Sequence, residues 1–235
     1  MSAGIVTVNY THEDLPHVLD KISGNNLMRN ANLKKPINQR GASSYASDGY
    51  CIDGYVLHNS DCAINAGESI TITGDGTNGY IAQSLEDFEL YKDRTVTFSV
   101  RVTGGTGVGS GARIGIFDGV GQTSAYIDAT GIVKVTRTIS ASATLVFPLI
   151  VPSGVKTVII DAVCCEEGLV STLANGNLKS NSEENSVCKY FYRLWTTEAA
   201  RTEALKEVGL MRLSSPTTGT IVIGGVTYYY ASADL

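Results

Sequence analysis

The sequence predicts a mostly-β fold, a sandwich or barrel of short strands, with one short helix near each end of the chain. Residues 94–102 alternate between polar and apolar side chains, which is the period-two pattern of a strand. Several further β-rich runs follow, and turns rich in glycine, serine or proline separate them. Hydrophobic residues make up 43% of the 235-residue chain, enough for the core of a single sandwich domain.

The first helix is predicted over residues 14–22, where Asp14 can act as the N-cap. One apolar stripe follows at i, i+3, i+4 and i+7, formed by Leu15, Val18, Leu19 and Ile22. A helix this short is not stable alone in water, so the stripe must bury against its own chain or against copies of it. We expect copies gathered around an axis, as in a short coiled coil.

The middle of the chain carries the strands. The apolar half of residues 94–102 is expected to face the core, namely Val96, Phe98, Val100 and Val102. The outward half is Thr95, Thr97, Ser99 and Arg101. Further strands are predicted at residues 69–73, 112–117, 124–129, 132–139, 144–151 and 155–164.

A second helix is predicted over residues 198–208, because this run is rich in Ala, Glu and Leu and Gly209 follows it. Beyond it, two glycines at 224 and 225 separate the strand-like residues 220–223 and 226–230. Two glycines between two strands are typical of a tight two-residue hairpin.

Charge and hydropathy exclude some function classes. The formal net charge is -5 and the basic residues are scattered, which argues against nucleic acid as a partner. No run approaches the roughly 20 apolar residues of a membrane span, so no membrane insertion is predicted. The first ten residues lack a basic stretch followed by an apolar core, so a soluble chain made in the cytoplasm is expected.

No catalytic, metal or cofactor motif is present, and none of these sites is predicted. The glycine-rich residues 104–111 lack the lysine and the following helix of a phosphate loop. Paired carboxylates could still hydrolyse a glycan, but the favoured interpretation is that each caps a turn, solvates a loop or binds a structural cation. The candidates are Asp48, Asp53, Asp61, Asp118, Glu166 and Glu167.

The five cysteines form no C-x-x-C, and we interpret them as reduced, buried hydrophobes. Cys164 and Cys165 are neighbours in a strand-like run, so they are expected on opposite faces of a sheet.

Three short motifs occur in a fixed order. The first motif has two parts: residues 26–33 read N-L-M-R-N-A-N-L and residues 36–41 read P-I-N-Q-R-G. The second motif, residues 160–168, reads I-D-A-V-C-C-E-E-G, and the third, residues 188–193, reads C-K-Y-F-Y-R. In this order they resemble a bacteriophage tail-fibre or receptor-binding protein with a jelly roll like that of carbohydrate-binding modules. The chain departs from that pattern at Gly54 and Tyr55, where Arg and Trp are usual.

The resemblance implies a jelly-roll β-sandwich over residues 26–172, after an oligomerisation segment at 1–25 and before a C-terminal helix and hairpin at 173–235. It implies a virion tail location, a host cell-surface carbohydrate as ligand, other tail proteins as partners, and a homotrimer. No enzymatic activity is expected. A structural tail subunit without ligand and a polysaccharide-degrading tail enzyme remain open as alternatives.

Tyrosine and tryptophan suit sugar or protein recognition because they give a large amphipathic contact at low entropic cost. Two places for a ligand follow from the predicted sandwich. On a sheet face the candidates are Thr97 and Arg101, with Tyr80 and Gln83 adjacent. At the C-terminal end they are Trp195 and Tyr229. We favour the sheet face for glycan and the C-terminal end for oligomer packing.

Overall fold

The computed structural model describes residues 26–175, 178, 188, 192–206, 216–223 and 225–232. The chain forms a jelly-roll β-sandwich of two six-stranded antiparallel sheets, with a smaller three-stranded sheet near the C-terminus. This confirms the predicted mostly-β, jelly-roll fold. The predicted helix at residues 14–22 lies outside the described residues, as does its apolar stripe.

The chain passes back and forth between the two large sheets. Sheet A has the spatial order β1 (Ser44–Tyr45), β4 (Ser60–Asn65), β5 (Ser69–Gly74), β12 (Thr157–Glu167), β7 (Thr95–Gly104) and β10 (Gly131–Thr138). Sheet B has the spatial order β2 (Gly49–Tyr50), β3 (Val56–His58), β6 (Tyr80–Ala82), β11 (Phe147–Val151), β8 (Arg113–Phe117) and β9 (Gln122–Tyr126).

The third sheet has the order β13 (Tyr192–Trp195), β15 (Val226–Ser232) and β14 (Thr217–Ile223). Ile223 pairs directly with Val226, which confirms the two-residue hairpin connection. A helix, α1 (Glu198–Ala204), packs beside this sheet and is shorter than predicted. Short 3-10 helices occur at Phe88–Tyr91 and Leu173–Asn175.

The core lies between sheets A and B. Val96, Phe98 and Val100 of β7 are at most 1% exposed, as the alternation predicts. They belong to one apolar cluster with Ile114 and Ile116 of β8. Because alternate residues of a strand point to opposite faces, each core residue of β8 sends its neighbours to the outside of sheet B.

Part of the outer face of sheet A is covered by the chain itself. Thr97 and Ser99 are fully buried there, and the Thr97 hydroxyl donates to the Gly168 carbonyl at 2.6 Å. Leu173 packs against Cys164 on this face, whereas Cys165 joins the main core, so the predicted opposite orientation of the two cysteines is confirmed. Residues 26–33 also run beside the second half of β12.

A buried carboxylate organises the chain between these segments and sheet B. Asp53 is 1% exposed, and Gln39 Nε2 donates to its Oδ2 at 2.7 Å. Arg40 Nη1 donates to Asp53 Oδ1 at 3.2 Å, and Asn30 Nδ2 donates to the Asp53 carbonyl at 3.0 Å. Gln39 and Arg40 of the N-Q-R-G run therefore provide the hydrogen bonds that the buried Asp53 carboxylate needs. A buried charge is costly unless it is paired and hydrogen-bonded.

We expect Asp53→Asn to destabilise the fold strongly, because it removes the negative charge that faces the nearly buried Arg40 side chain. Breaking a buried ion pair costs about 3–5 kcal/mol of the free energy of unfolding. Urea denaturation of the purified protein measures this loss.

The matched control is Glu68→Gln, which breaks the ion pair between Glu68 and Lys35. This pair lies on the surface, since the Lys35 side chain is 69% exposed and the Glu68 side chain is 53% exposed. That change should cost no more than about 1 kcal/mol. Equal losses for the two variants would contradict the structural role of Asp53.

Candidate functional site

The outer face of sheet B carries an open groove of about 450 Å³. It crosses β6, β11, β8 and β9 in their spatial order, a distance of roughly 14 Å at about 4.8 Å per strand. Its lining side chains are Asn78, Tyr80, Arg113, Phe117, Gln122, Phe147, Leu149 and Val151.

Strand register places the lining side chains in rows across the sheet. Val151 of β11 pairs with Arg113 of β8, in the row that continues to Tyr126 of β9. Phe147 pairs with Phe117, in the row that continues to Gln122. Directly paired residues in adjacent strands lie on the same face, so the two phenylalanines stand side by side at one end of the groove.

A glycine in β8 lets two polar side chains of β9 pack against the floor of the groove. Gly115 lies between Leu149 and Ser124 in the sheet and carries no side chain on the outer face. A Cβ placed there would come within 3.0 Å of Gln122 Nε2 and of Ser124 Oγ. Gln122 Nε2 donates to Ser124 Oγ at 2.7 Å, so this polar pair occupies the space over the buried Gly115.

The groove combines aromatic, apolar and polar groups. Tyr80, Phe117 and Phe147 are half-buried, so part of each ring faces solvent. The His58 ring lies 5.1 Å from the Tyr80 ring and extends the aromatic surface towards β3. A mostly apolar concave surface with a few polar groups is the usual form of a small-molecule site.

The turn between β8 and β9 is held by Asp118, which is fully buried. Its Oδ1 accepts from the backbone N–H groups of Val120 and Gly121 at 3.0 and 2.9 Å. Its Oδ2 accepts from Arg137 Nε at 2.8 Å and from the Ser140 N–H at 3.1 Å. Burial by itself would raise the pKa of Asp118, but these hydrogen bonds favour the charged form and lower the pKa to about 2.

The four residues predicted for a sheet face do not come together. Tyr80 lines the groove on sheet B, whereas Thr97 and Arg101 lie on the outer face of sheet A. The prediction of one shared groove is therefore wrong, since the two strands belong to different sheets. Arg101 Nε donates to Asp161 Oδ1 at 2.5 Å, and the Thr97 hydroxyl is buried under residue 168.

Gln83 is also placed away from solvent. It is 1% exposed, its Oε1 accepts from the Arg29 N–H at 2.6 Å, and its Nε2 donates to the Arg29 carbonyl at 3.1 Å. Both ends of the amide thus fasten residue 29 to the end of β6, and the side chain is not open to a ligand.

Trp195 and Tyr229 are directly paired across β13 and β15. The Arg193 guanidinium lies 5.5 Å from the Trp195 ring centre, and that of Arg201 lies 5.7 Å from the Tyr229 ring centre. Trp195 also packs against Ala231. This pair belongs to the C-terminal sheet, and neither residue lines the sheet-B groove.

A second cavity of about 490 Å³ lies between the C-terminal sheet and the sandwich. Arg40 and Tyr50 line it from the sandwich, and Tyr230 lines it from β15. The Arg40 guanidinium lies 5.5 Å from the Tyr50 ring centre and also bonds Asp53, so it serves the buried corner described above.

The carboxylates named as candidates for glycan hydrolysis all have structural partners. Asp48 and Asp61 accept from the backbone N–H groups of Asn59 and Ser47 at 2.9 and 3.0 Å. Glu166 accepts from the Thr172 N–H at 2.7 Å, and Glu167 pairs with Arg94 at 3.1 Å. None of the six lines the groove.

The described parts of the chain hold no cluster of three or more His, Cys, Asp or Glu side chains that could bind a metal ion. None of the helices within the described ranges has the length and apolar character that crossing a membrane requires. The five cysteines are buried and free, in agreement with their interpretation as core residues.

Sequence reasoning found Tyr80 but missed Arg113, Phe117 and Phe147. A weak signal was available for Phe117, which stands at the end of the predicted strand 112–117 and next to a turn. What the sequence did not reveal is that Phe117 and Phe147 pair, since β8 and β11 are separated by two other strands along the chain.

A comparison with solved structures finds matches at low sequence identity. The CBM22-1 xylan-binding domain from Paenibacillus barcinonensis Xyn10C is 12% identical, with a TM-score of 0.38, over 63% of this chain and 97% of that one. A CBM4 structure is 16% identical, with a TM-score of 0.38, over 59% and 98%. CBM29_1, a Family 29 Carbohydrate Binding Module from Piromyces equi, is 9% identical, with a TM-score of 0.32, over 53% and 92%.

No protein-family model matches the chain. No curated protein matches it either. Likeness to the solved structures at these identities and TM-scores says nothing about a ligand of this chain.

The Asp118 network makes the groove's supporting turn sensitive to acid. The folded-state pKa of about 2 lies below the ordinary value of 3.8, so its stabilising contribution is fully present above the ordinary value and is lost as pH falls towards about 2. Asp118→Asn lacks this contribution. We expect the variant to be less stable than wild type at neutral pH, with the difference shrinking between about pH 4 and pH 2.

Urea denaturation of both proteins across this pH range measures the difference in their free energies of unfolding. The other carboxylates titrate in both proteins, so their contributions cancel in this difference. Asp128→Asn, an exposed position in the following turn, is the control and should show a small difference at all pH values. A difference between Asp118→Asn and wild type that stays constant down to pH 2 would contradict the charge-based role.

Proposed function

We propose that this chain is a non-catalytic glycan-binding module that holds an extended oligosaccharide in the sheet-B groove. The observation that supports this most directly is the pairing of Phe117 with Phe147 at the groove end, with Tyr80 on the same face. Sugar rings have apolar faces that stack on aromatic side chains, and a stack needs rings that are already held in place.

The polar groups of the groove complete this proposal. Asn78 and Gln122 are exposed at its edges and offer amide donors and acceptors for sugar hydroxyls. The groove is open to solvent and crosses four strands, which suits a chain of sugars better than a single enclosed sugar.

The test is a screen of the purified protein against an array of bacterial and plant polysaccharides, followed by calorimetry on those that bind. Phe117→Ala and Tyr80→Ala should each weaken binding about tenfold or more, because each removes an aromatic contact of the groove. Tyr229→Ala is the matched control, since it removes an aromatic ring from the C-terminal sheet and should leave the affinity unchanged.

Two outcomes would contradict this placement of the site. Loss of binding in Tyr229→Ala with full binding in Phe117→Ala would move the site to the C-terminal sheet. Failure of the wild-type protein to bind any glycan of the array would remove the proposed function itself.

We further propose that the module belongs to a bacteriophage tail, where it is assembled with other tail proteins after synthesis in the host cytoplasm, and that its ligand is a host cell-surface carbohydrate. The support is the order of the three sequence motifs. The first motif includes residues 36–41, whose Gln39 and Arg40 hold Asp53, and the second forms the end of β12.

A homotrimer is part of the same proposal, supported by the apolar stripe of residues 14–22. Light scattering of the full chain should give three times the monomer mass. Leu19→Asp, which puts a charge into the stripe, should lower that mass, whereas Asp20→Asn beside the stripe should not. A monomer mass for the wild-type chain at micromolar concentration would overturn the trimer.

The absence of catalysis is proposed because the six candidate carboxylates serve structural contacts away from the groove. Incubation of the pure protein with a polysaccharide that it binds should release no reducing ends. Release that Phe117→Ala abolishes would make the groove an active site.

A further inference from the structure

Arg113 carries the one charge among the groove-lining side chains. It begins β8 and lies between Val151 on β11 and Tyr126 on β9. Its side chain is half-buried against the groove wall, with Val151 6% exposed beside it. A guanidinium in such a place is partly removed from water, which strengthens its interaction with any anion that enters.

Arg113 is also the exception among the arginines that the structure describes. Six of the others face a carboxylate, and Arg193 stacks on Trp195; they pair as Arg29–Glu86, Arg40–Asp53, Arg94–Glu167, Arg101–Asp161, Arg137–Asp118 and Arg201–Glu198. Within the described residues, the Arg113 side chain has no hydrogen bond, ion pair or ring contact.

The surroundings of Arg113 contrast with the rest of the protein. The chain has a formal net charge of -5, yet no acidic side chain lines the groove. The groove is therefore a local positive site in an acidic protein. Local charge of one sign in a cleft with apolar walls selects ligands of the opposite sign.

We infer that the groove selects an acidic glycan, in which the carboxylate of a hexuronic acid pairs with Arg113 while another sugar ring of the same oligosaccharide stacks on Phe117 and Phe147. This inference rests on the proposed function and adds the chemical class of the ligand. The guanidinium presents a planar fork of N–H donors that fits a carboxylate with two parallel hydrogen bonds.

A ring carboxylate suits this site better than a sulfate or phosphate ester. The carboxyl carbon of a hexuronate is bonded directly to the sugar ring, so the carboxylate has fewer rotatable bonds than a sulfate or phosphate ester and loses less conformational freedom when Arg113 binds it. Arg113 and Phe117 each lie two residues from Gly115 on one face of β8, so about 13 Å of strand separates them and the two contacts fall on different sugars of one oligosaccharide.

The experiment compares each acidic oligosaccharide with its own neutral methyl ester, so that only the charge differs. Oligomers of galacturonate, glucuronate, mannuronate and guluronate are titrated into the full chain by calorimetry. We expect at least one acid to bind about tenfold or more tightly than its ester, because hydrogen bonds to charged groups are the stronger ones. The preference should shrink when NaCl rises from about 50 to about 500 mM.

Arg113→Gln should remove the preference for the acid while binding of the methyl ester persists. Arg113→Lys keeps the charge but loses the fork, and should retain part of the preference. Lys134→Gln, which removes one positive charge from an exposed position on sheet A, is the control and should bind like wild type. Thermal unfolding of each variant confirms that it is folded.

The outcomes separate the inference from the proposed function. If acids and esters bind equally, Arg113→Gln has no effect and Phe117→Ala still abolishes binding, the acidic class is overturned and glycan binding in the groove stands. If the protein prefers sulfated or phosphorylated glycans and shows no preference for any hexuronate, the assignment of a carboxylate as the ligand's anionic group is overturned. If no glycan, neutral or acidic, binds the wild-type chain, the proposed function falls with the inference.

Discussion

The alternation of side chains along a strand connects the core of this protein to its groove. Burying Ile114 and Ile116 of β8 between the sheets sends Arg113, Gly115 and Phe117 to the outside of sheet B. Core packing thus fixes the part of the groove surface that β8 contributes, because a one-residue shift of β8 would turn its lining residues Arg113 and Phe117 inward.

The two outer faces of the sandwich differ, and this asymmetry favours sheet B as the location of the site. The segment after β12 covers part of sheet A, where Gly168 and Leu173 bury Thr97 and Cys164, and residues 26–33 hydrogen-bond along the second half of β12. Sheet B keeps an open face across β6, β11, β8 and β9. An apolar surface that the chain leaves uncovered is where a ligand can gain the most from contact.

Charge is handled in two ways in the molecule. The buried acids are satisfied inside it: Asp53 by Gln39 and Arg40, and Asp118 by Arg137 and a turn of backbone N–H groups. These two networks fasten the corner before β3 and the hairpin after β8, which lie at opposite ends of sheet B. Arg113 differs because its charge faces the groove and no side chain among the described residues pairs with it.

The sequence by itself determined the strands whose alternation or turn chemistry is strong. The burial of Val96 and Phe98, the opposite faces of Cys164 and Cys165, and the tight connection after Ile223 were all predictable, because each depends on local geometry. The short strands β1, β2, β3 and β6 were missed, since two or three residues are too few to show a period.

Only the tertiary structure decided which face would be open. Alternation placed Thr97 opposite to Phe98, but a segment 71 residues further along the chain covers that hydroxyl. Gln83 was predicted to bind a ligand, but its amide hydrogen-bonds the backbone of Arg29, 54 residues earlier in the chain. The groove itself needs Phe147 beside Phe117 and Val151 beside Arg113, and such register between distant strands is set by the packing of the whole sandwich, which no local pattern encodes.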